Sequence, residues 1–150
     1  MGLKKFFWGK QVVFTDKLIG ILKTRVKNEN PSINYTWIGE NLLNGQKRKT
    51  VFILEGNSQE PYKNQLKSVY RIVQDLENIT RQINFELKSS KYTNPRFKHD
   101  WLKDFYLAAI TPNDVRENRF EVSIEPINEN DTGYVSFLWA NGRISEIEAK

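Results

Sequence analysis

Between residues 61 and 88, apolar side chains recur every three or four positions: Leu66, Val69, Val73, Leu76, Ile83 and Leu87. That spacing lines them along one side of an α-helix, while Lys63, Lys67, Arg71 and Arg81 project from the other. The pattern predicts one amphipathic helix from Pro61 to Lys88, about 40 Å long at roughly 1.5 Å per residue. Pro61 is expected in its first turn, where an amide hydrogen would have no intrahelical partner.

On either side of this segment the period shortens to that of strands. Val12 to Phe14 and Leu18 to Val26 are rich in β-branched or aromatic residues and flank the polar turn Thr15-Asp16-Lys17, which predicts a hairpin. Ile33, Tyr35 and Trp37 alternate with Asn34 and Thr36, and Lys49 to Leu54 reads as another strand, making four before the helix. After the helix, Asn94-Pro95 is a second cap-then-proline start. Trp101, Phe105 and Ala108, with Leu102 and Tyr106 beside them, predict a shorter amphipathic helix ending near Ile110, and Thr111-Pro112-Asn113-Asp114 a third, very short one. Phe120, Val122 and Ile124 alternate with Glu121, Ser123 and Glu125, a strand with one apolar and one charged face. Asn141-Gly142 suits a two-residue type I′ turn joining Tyr134–Ala140 to Arg143–Glu148, with Trp139 opposite Ile144 and Phe137 opposite Glu146.

The fold expected from these elements is a single α+β domain over residues 1–150. Its antiparallel sheet is built from both chain ends and packed on one face by the long amphipathic helix, with the second, shorter helix alongside. A chain of 150 residues with 39% hydrophobic and 13% aromatic residues supports one core and is unlike a disordered segment.

Charge adds a polarity to this picture. Residues 1–50 carry ten Lys/Arg against three Asp/Glu, residues 51–100 eight against six, and residues 101–150 five against nine, within a net +5. An acidic third weighs against a dedicated nucleic-acid protein and suits an asymmetric surface that meets a charged protein partner. With no cysteine there is no disulfide framework, thiolate metal site or thiol nucleophile. Lys10 and Gln11 interrupt the amino-terminal apolar run too early for a signal peptide, and Phe6 stands where myristoylation needs Ser or Thr. No stretch is long and apolar enough to span a bilayer. The expectation is a cytoplasmic protein that does not engage a membrane.

Candidate chemistry is sparse. His99, the single histidine, stands next to Asp100, but no activated nucleophile is marked elsewhere. Glu121 with Glu125, and Glu146 with Glu148, share strand faces where a cation or an acid/base pair is imaginable, yet solvated sheet residues look the same. Phosphate-loop, dinucleotide, nucleophile-elbow and zinc-helix motifs do not occur. No catalytic residue, metal ligand or cofactor is therefore assigned. The candidate partner-binding residues are Lys63, Lys67, Arg71 and Arg81, a cationic stripe that Lys4, Lys5, Lys47, Arg48 and Lys49 would extend. Trp8, Trp37, Trp101 and Trp139 sit in apolar patterns that suit a core better than base stacking.

The Trp37-Ile38-Gly39 strand end, the long helix, Trp101-Leu102, the Ile110 to Pro112 turn and the closing hairpin together resemble small bacterial α+β domains, some associated with toxin immunity. The resemblance implies a cytoplasmic, non-enzymatic protein that binds a partner, and in the immunity case neutralises a toxin by masking it. The alternative is nucleic-acid binding through the cationic helix face.

Overall fold

A computed structural model describes residues 9–150; Lys4, Lys5 and Trp8 lie outside the described residues. Eight strands form one sheet in the order in which they occur: β1 (Lys10–Asp16), β2 (Gly20–Val26), β3 (Tyr35–Asn41), β4 (Thr50–Gly56), β5 (Phe105–Asp114), β6 (Arg119–Pro126), β7 (Val135–Ala140) and β8 (Arg143–Ala149). Neighbours run antiparallel except β4 and β5, which are parallel. A parallel pair needs a long crossover. The two helices, α1 (Lys63–Gln74) and α2 (Leu76–Leu87), lie within that connection.

Where the sequence pattern predicts one helix, the structure has two, separated by Asp75 at φ −97°, ψ 10°. Asp competes poorly inside a helix and favours its start, and Glu77 stands in the first turn of α2. The apolar side keeps its direction across the break: Val69, Ile72, Ile79, Ile83 and Leu87 are buried, and Leu66, Val73 and Leu76 pack against the same core. Pro61 does not enter the helix. It bridges to Gly56, and Tyr62 takes the cap position with its N–H on the Glu55 carbonyl.

The second predicted helix is absent. Residues 95–104 form two short 3₁₀ turns, Pro95–Lys98 and Leu102–Asp104, and β5 begins at Phe105. The spacing of Trp101, Phe105 and Ala108 imitates a helix, but Phe105-Tyr106-Leu107-Ala108-Ala109-Ile110 is a continuous apolar run, which suits a central strand with neighbours on both sides. Phe97, Trp101 and Phe105 close instead into an aromatic cluster in which Trp101 meets both Phe rings edge to face, with ring centroids 5.1 to 6.3 Å apart. Thr111 to Asp114 ends β5 through a bulge rather than opening a third helix.

Few backbone pairs join the central strands: Val51 with Ala109 and Phe52 with Ile110. Gln46 extends this seam, its Oε1 accepting from Leu107 N at 2.8 Å, and Thr50 Oγ1 donates to Leu107 O at 2.7 Å. The first hairpin turns at residues 17–19, where Asp16 Oδ1 accepts the Leu18 and Ile19 amides. In the last hairpin Asn141 (φ 51°) and Gly142 (φ 85°) form the expected turn, and Trp139 does face Ile144. The expected pairing of Phe137 with Glu146 fails, because Glu146 takes φ 50° and the register slips between Ser136 and Leu138.

Gly39 shows how tightly β2 and β3 are joined. A Cβ there would stand 2.3 Å from Ile21 O and 2.8 Å from Leu22 Cδ2. Gly39→Ala is expected to lower stability by about 1–3 kcal/mol through overpacking, read as a lower urea midpoint; an unchanged midpoint would contradict this close approach.

Candidate interaction surface

The helices cover one face of the sheet. Trp37, Phe52, Leu54, Ile110, Phe120, Val122, Phe137 and Trp139 point into this layer and are buried with Ile72, Ile79 and Ile83. No helix among the described residues lies over the other face, whose side chains follow from strand register. One cross-strand row runs Val13, Lys23, Ile38, Ile53 through β1 to β4. A second runs Glu40, Val51, Ala109, Ser123, Ser136, Glu148 from β3 to β8.

This open face changes character along its width. On β1 to β4 it carries Val13, Ile21 and Ile38, exposed by 50%, 51% and 52%, next to half-buried Val51 and Ile53. A shallow hollow of about 560 Å³ is bordered by Ile21, Ile38 and Val51, with Lys23, Glu40 and Lys49 at its rim. Single exposed apolar residues are ordinary on a protein surface, but a patch across neighbouring strands with a polar rim is the usual character of a contact surface. On β6 to β8 the face turns acidic. A second hollow of about 680 Å³ is lined by Tyr106, Glu121, Ser123, Glu125, Ser136 and Glu148, among others. The acidic last third of the sequence therefore gives one half of this face its carboxylates, beside a half that is mainly apolar.

Arg48 sits at the border of the acidic half, its guanidinium 5.2 Å from the Tyr106 ring centroid and 3.2 Å from Glu129. Lys49 pairs with Glu40 at 3.0 Å. These two cations thus belong to the open face and do not extend a stripe on the helices. The stripe itself is divided. Lys63 and Lys67 are exposed on α1 and have no ion pair among the described residues. Arg71 lies over the Trp139 ring at 5.3 Å, and Arg81, on α2, pairs with Glu77 at 3.1 Å.

The other candidates do not converge. His99 and Asp100 are exposed in the loop after the first 3₁₀ turn, away from the hollows of the open face. Glu121 and Glu125 lie on the acidic half, and Glu146 and Glu148 reach a neighbouring hollow of about 240 Å³ beside Arg119 and Glu121. Among the described residues no group of three or more His, Cys, Asp or Glu side chains is placed to hold a metal ion. Trp37, Trp101 and Trp139 are core residues. Among the described residues no helix is long and apolar enough to cross a membrane. No known family, curated protein or solved structure matches the chain.

Ionisable groups with shifted pKa values hold the scaffold beneath this face. Burial and a hydrogen bond to Asp16 push the Tyr70 hydroxyl up to about 12, tying α1 to the first hairpin. Arg96 clamps Asp131 with its two terminal guanidinium nitrogens, lies 4.6 Å from the Phe105 ring centroid, and with the Gly133 amide lowers the Asp131 pKa to about 2. A carboxylate depressed below its ordinary value of 3.8 stabilises the fold above that value and loses its contribution as pH falls toward 2. Wild type and Asp131→Asn should therefore differ in melting temperature at pH 6 and converge between about pH 4 and 2; a constant gap would contradict the pairing.

Ile21 and Ile38 escaped the sequence reading, although a signal was present. Ile21-Leu22, Trp37-Ile38 and Val51 to Leu54 are consecutive apolar residues in strands. Successive side chains point to opposite faces, so such runs put apolar groups on both faces of a sheet covered on only one.

Proposed function

We propose that this chain is a non-enzymatic protein-binding domain that uses the open sheet face to cover a surface of its partner. The observation that carries the reading is the exposed apolar group Val13, Ile21 and Ile38 on a sheet whose opposite face is already filled by helices. Its apolar half supplies contact area, and the acidic half with the Lys23 and Lys49 rim supplies charge selectivity. The resemblance noted for Trp37 to Gly39 and the elements after it favours a bacterial immunity protein, acting in the cytoplasm, whose partner is a toxin blocked by masking. Masking requires surface complementarity and no bond chemistry.

Affinity capture from the native host, with sequencing of the adjoining genes, tests this directly. A captured protein whose activity falls when the chain binds supports the reading. A housekeeping gene neighbourhood together with a captured partner whose activity is unaffected contradicts it.

A second reading, nucleic-acid binding, is favoured by one feature: Lys63, Lys67 and Arg71 project from α1, which has no acidic residue between positions 63 and 74. It requires binding that weakens steeply with salt and weakens further when these three residues become Glu. Absent or salt-insensitive binding removes it.

A further inference from the structure

The two edges of the sheet are built differently. At β8, Glu146 takes a positive φ, the register slips, and Arg143, Glu146 and Glu148 are exposed. Bulges and charges of this kind stop an edge from accepting another strand. At the opposite edge β1 runs for seven residues, Lys10–Asp16, in unbroken register with β2, from Lys10 opposite Val26 to Asp16 opposite Gly20. It contains no proline, glycine or bulge, and its outer side has no strand partner among the described residues. A regular edge of this length is a template for one more strand.

We infer that β1 pairs antiparallel with β1 of a second copy of this chain, about a two-fold axis at Val13. In that register the sequence Lys-Gln-Val-Val-Phe-Thr-Asp complements itself. Lys10 lies opposite Asp16 of the second copy, Gln11 opposite Thr15, Val12 opposite Phe14, and Val13 opposite its own equivalent. The two-fold makes each match occur twice. Opposite charges and β-branched with aromatic residues are pairings that stabilise antiparallel strands. Asp16 is already fixed in position by the Leu18 and Ile19 amides and the Tyr70 hydroxyl.

The register also respects the layers. Val12 and Phe14 pack against the helix-side core, whereas Val13 is exposed on the open face. Positions paired about Val13 share a face, so both helix layers fall on one side of the joined sheet and both open faces on the other. The row Val13, Lys23, Ile38, Ile53 then continues across the joint into its symmetry mate. The dimer is formed by the strand edge and does not rest on the partner reading; Val13 belongs to both surfaces, and the mass of the isolated protein, measured without any partner, tells failure of the dimer from failure of that reading.

The test is sedimentation of the purified full chain over a concentration series. Wild type is expected as a dimer. Val13→Lys and Val13→Glu are each expected as monomers with unchanged far-ultraviolet circular dichroism, because each sets like charges opposite one another at the axis, and an equimolar mixture of the two should recover the dimer. The chain has no cysteine, so Val13→Cys introduces a single thiol that should form a covalent dimer on mild oxidation, whereas Asn141→Cys, at the far hairpin tip, should not. A monomeric wild type overturns the inference, as does a dimer unaffected by either charged substitution. Should the charged variants fail to fold, equal oxidation of the Val13→Cys and Asn141→Cys proteins overturns it.

Discussion

Replacing Ile21 and Ile38 together by Glu is expected to abolish capture of the partner while the domain stays folded. Both side chains are half exposed, so removing them opens no cavity in the core. Ile38 lies opposite Lys23, where a carboxylate meets a cation, and Ile21 lies opposite Thr15 and shares its hollow with the Glu40–Lys49 ion pair, whose lysine offsets the added charge. Unfolding free energy should therefore move by about 0.5 kcal/mol or less. Binding should respond far more. Central apolar contacts in an interface contribute about 2 kcal/mol or more each, roughly thirtyfold in affinity per residue. Wild-type affinity in the double variant, measured by calorimetry against the captured partner, would remove the open face from the interface.

Trp37→Ala is expected to have the largest effect on the fold itself. Trp37 is fully buried, its ring meets Phe14 edge-on at 6.5 Å, and its Nε1 donates to the Asn57 carbonyl at 3.1 Å. It therefore joins β1, β3 and the loop that leads into α1. Truncating a buried Trp costs about 3–5 kcal/mol, a large share of the 5–15 kcal/mol typical of a domain. Urea denaturation should show that loss as a lower midpoint; a loss below about 1 kcal/mol would mean that the site collapses around the gap and that the ring is not the keystone described. Because Ile38 adjoins Trp37 on the same strand, capture should weaken in this variant in step with the unfolded fraction, unlike the open-face variant.

The parts of the fold that were legible in the sequence are those in which one physical signal dominates. Asn141-Gly142 predicts its turn because few other residue pairs accept two positive φ angles, and Phe120, Val122 and Ile124 alternate cleanly because β6 has one buried face. The segment 95–110 reads as a helix and folds as turns and a strand because Trp101 and Phe105 satisfy helical spacing and strand composition alike, and only tertiary pairing with β4 and β6 decides between them. The break at Asp75 was hidden because the apolar period continues across it. Within the candidate site, the acidic last third is legible as composition, but the placement of its carboxylates on one face follows only from strand register. The cationic stripe of Lys63, Lys67, Arg71 and Arg81 is real as a set of outward positions, yet Arg71 and Arg81 are engaged with Trp139 and Glu77, contacts that helix periodicity alone does not reveal.

The central claim is that the uncovered sheet face, and not the outer side of α1, meets the partner. The absence of cysteine allows a direct measurement: the rate at which a maleimide probe labels Ile38→Cys and Lys67→Cys, free and in complex with the captured protein. Slower labelling of Ile38→Cys in the complex, with Lys67→Cys unchanged, is the predicted result. Protection at Lys67→Cys with Ile38→Cys still reacting at its free rate would contradict the claim and move the interface to the helices.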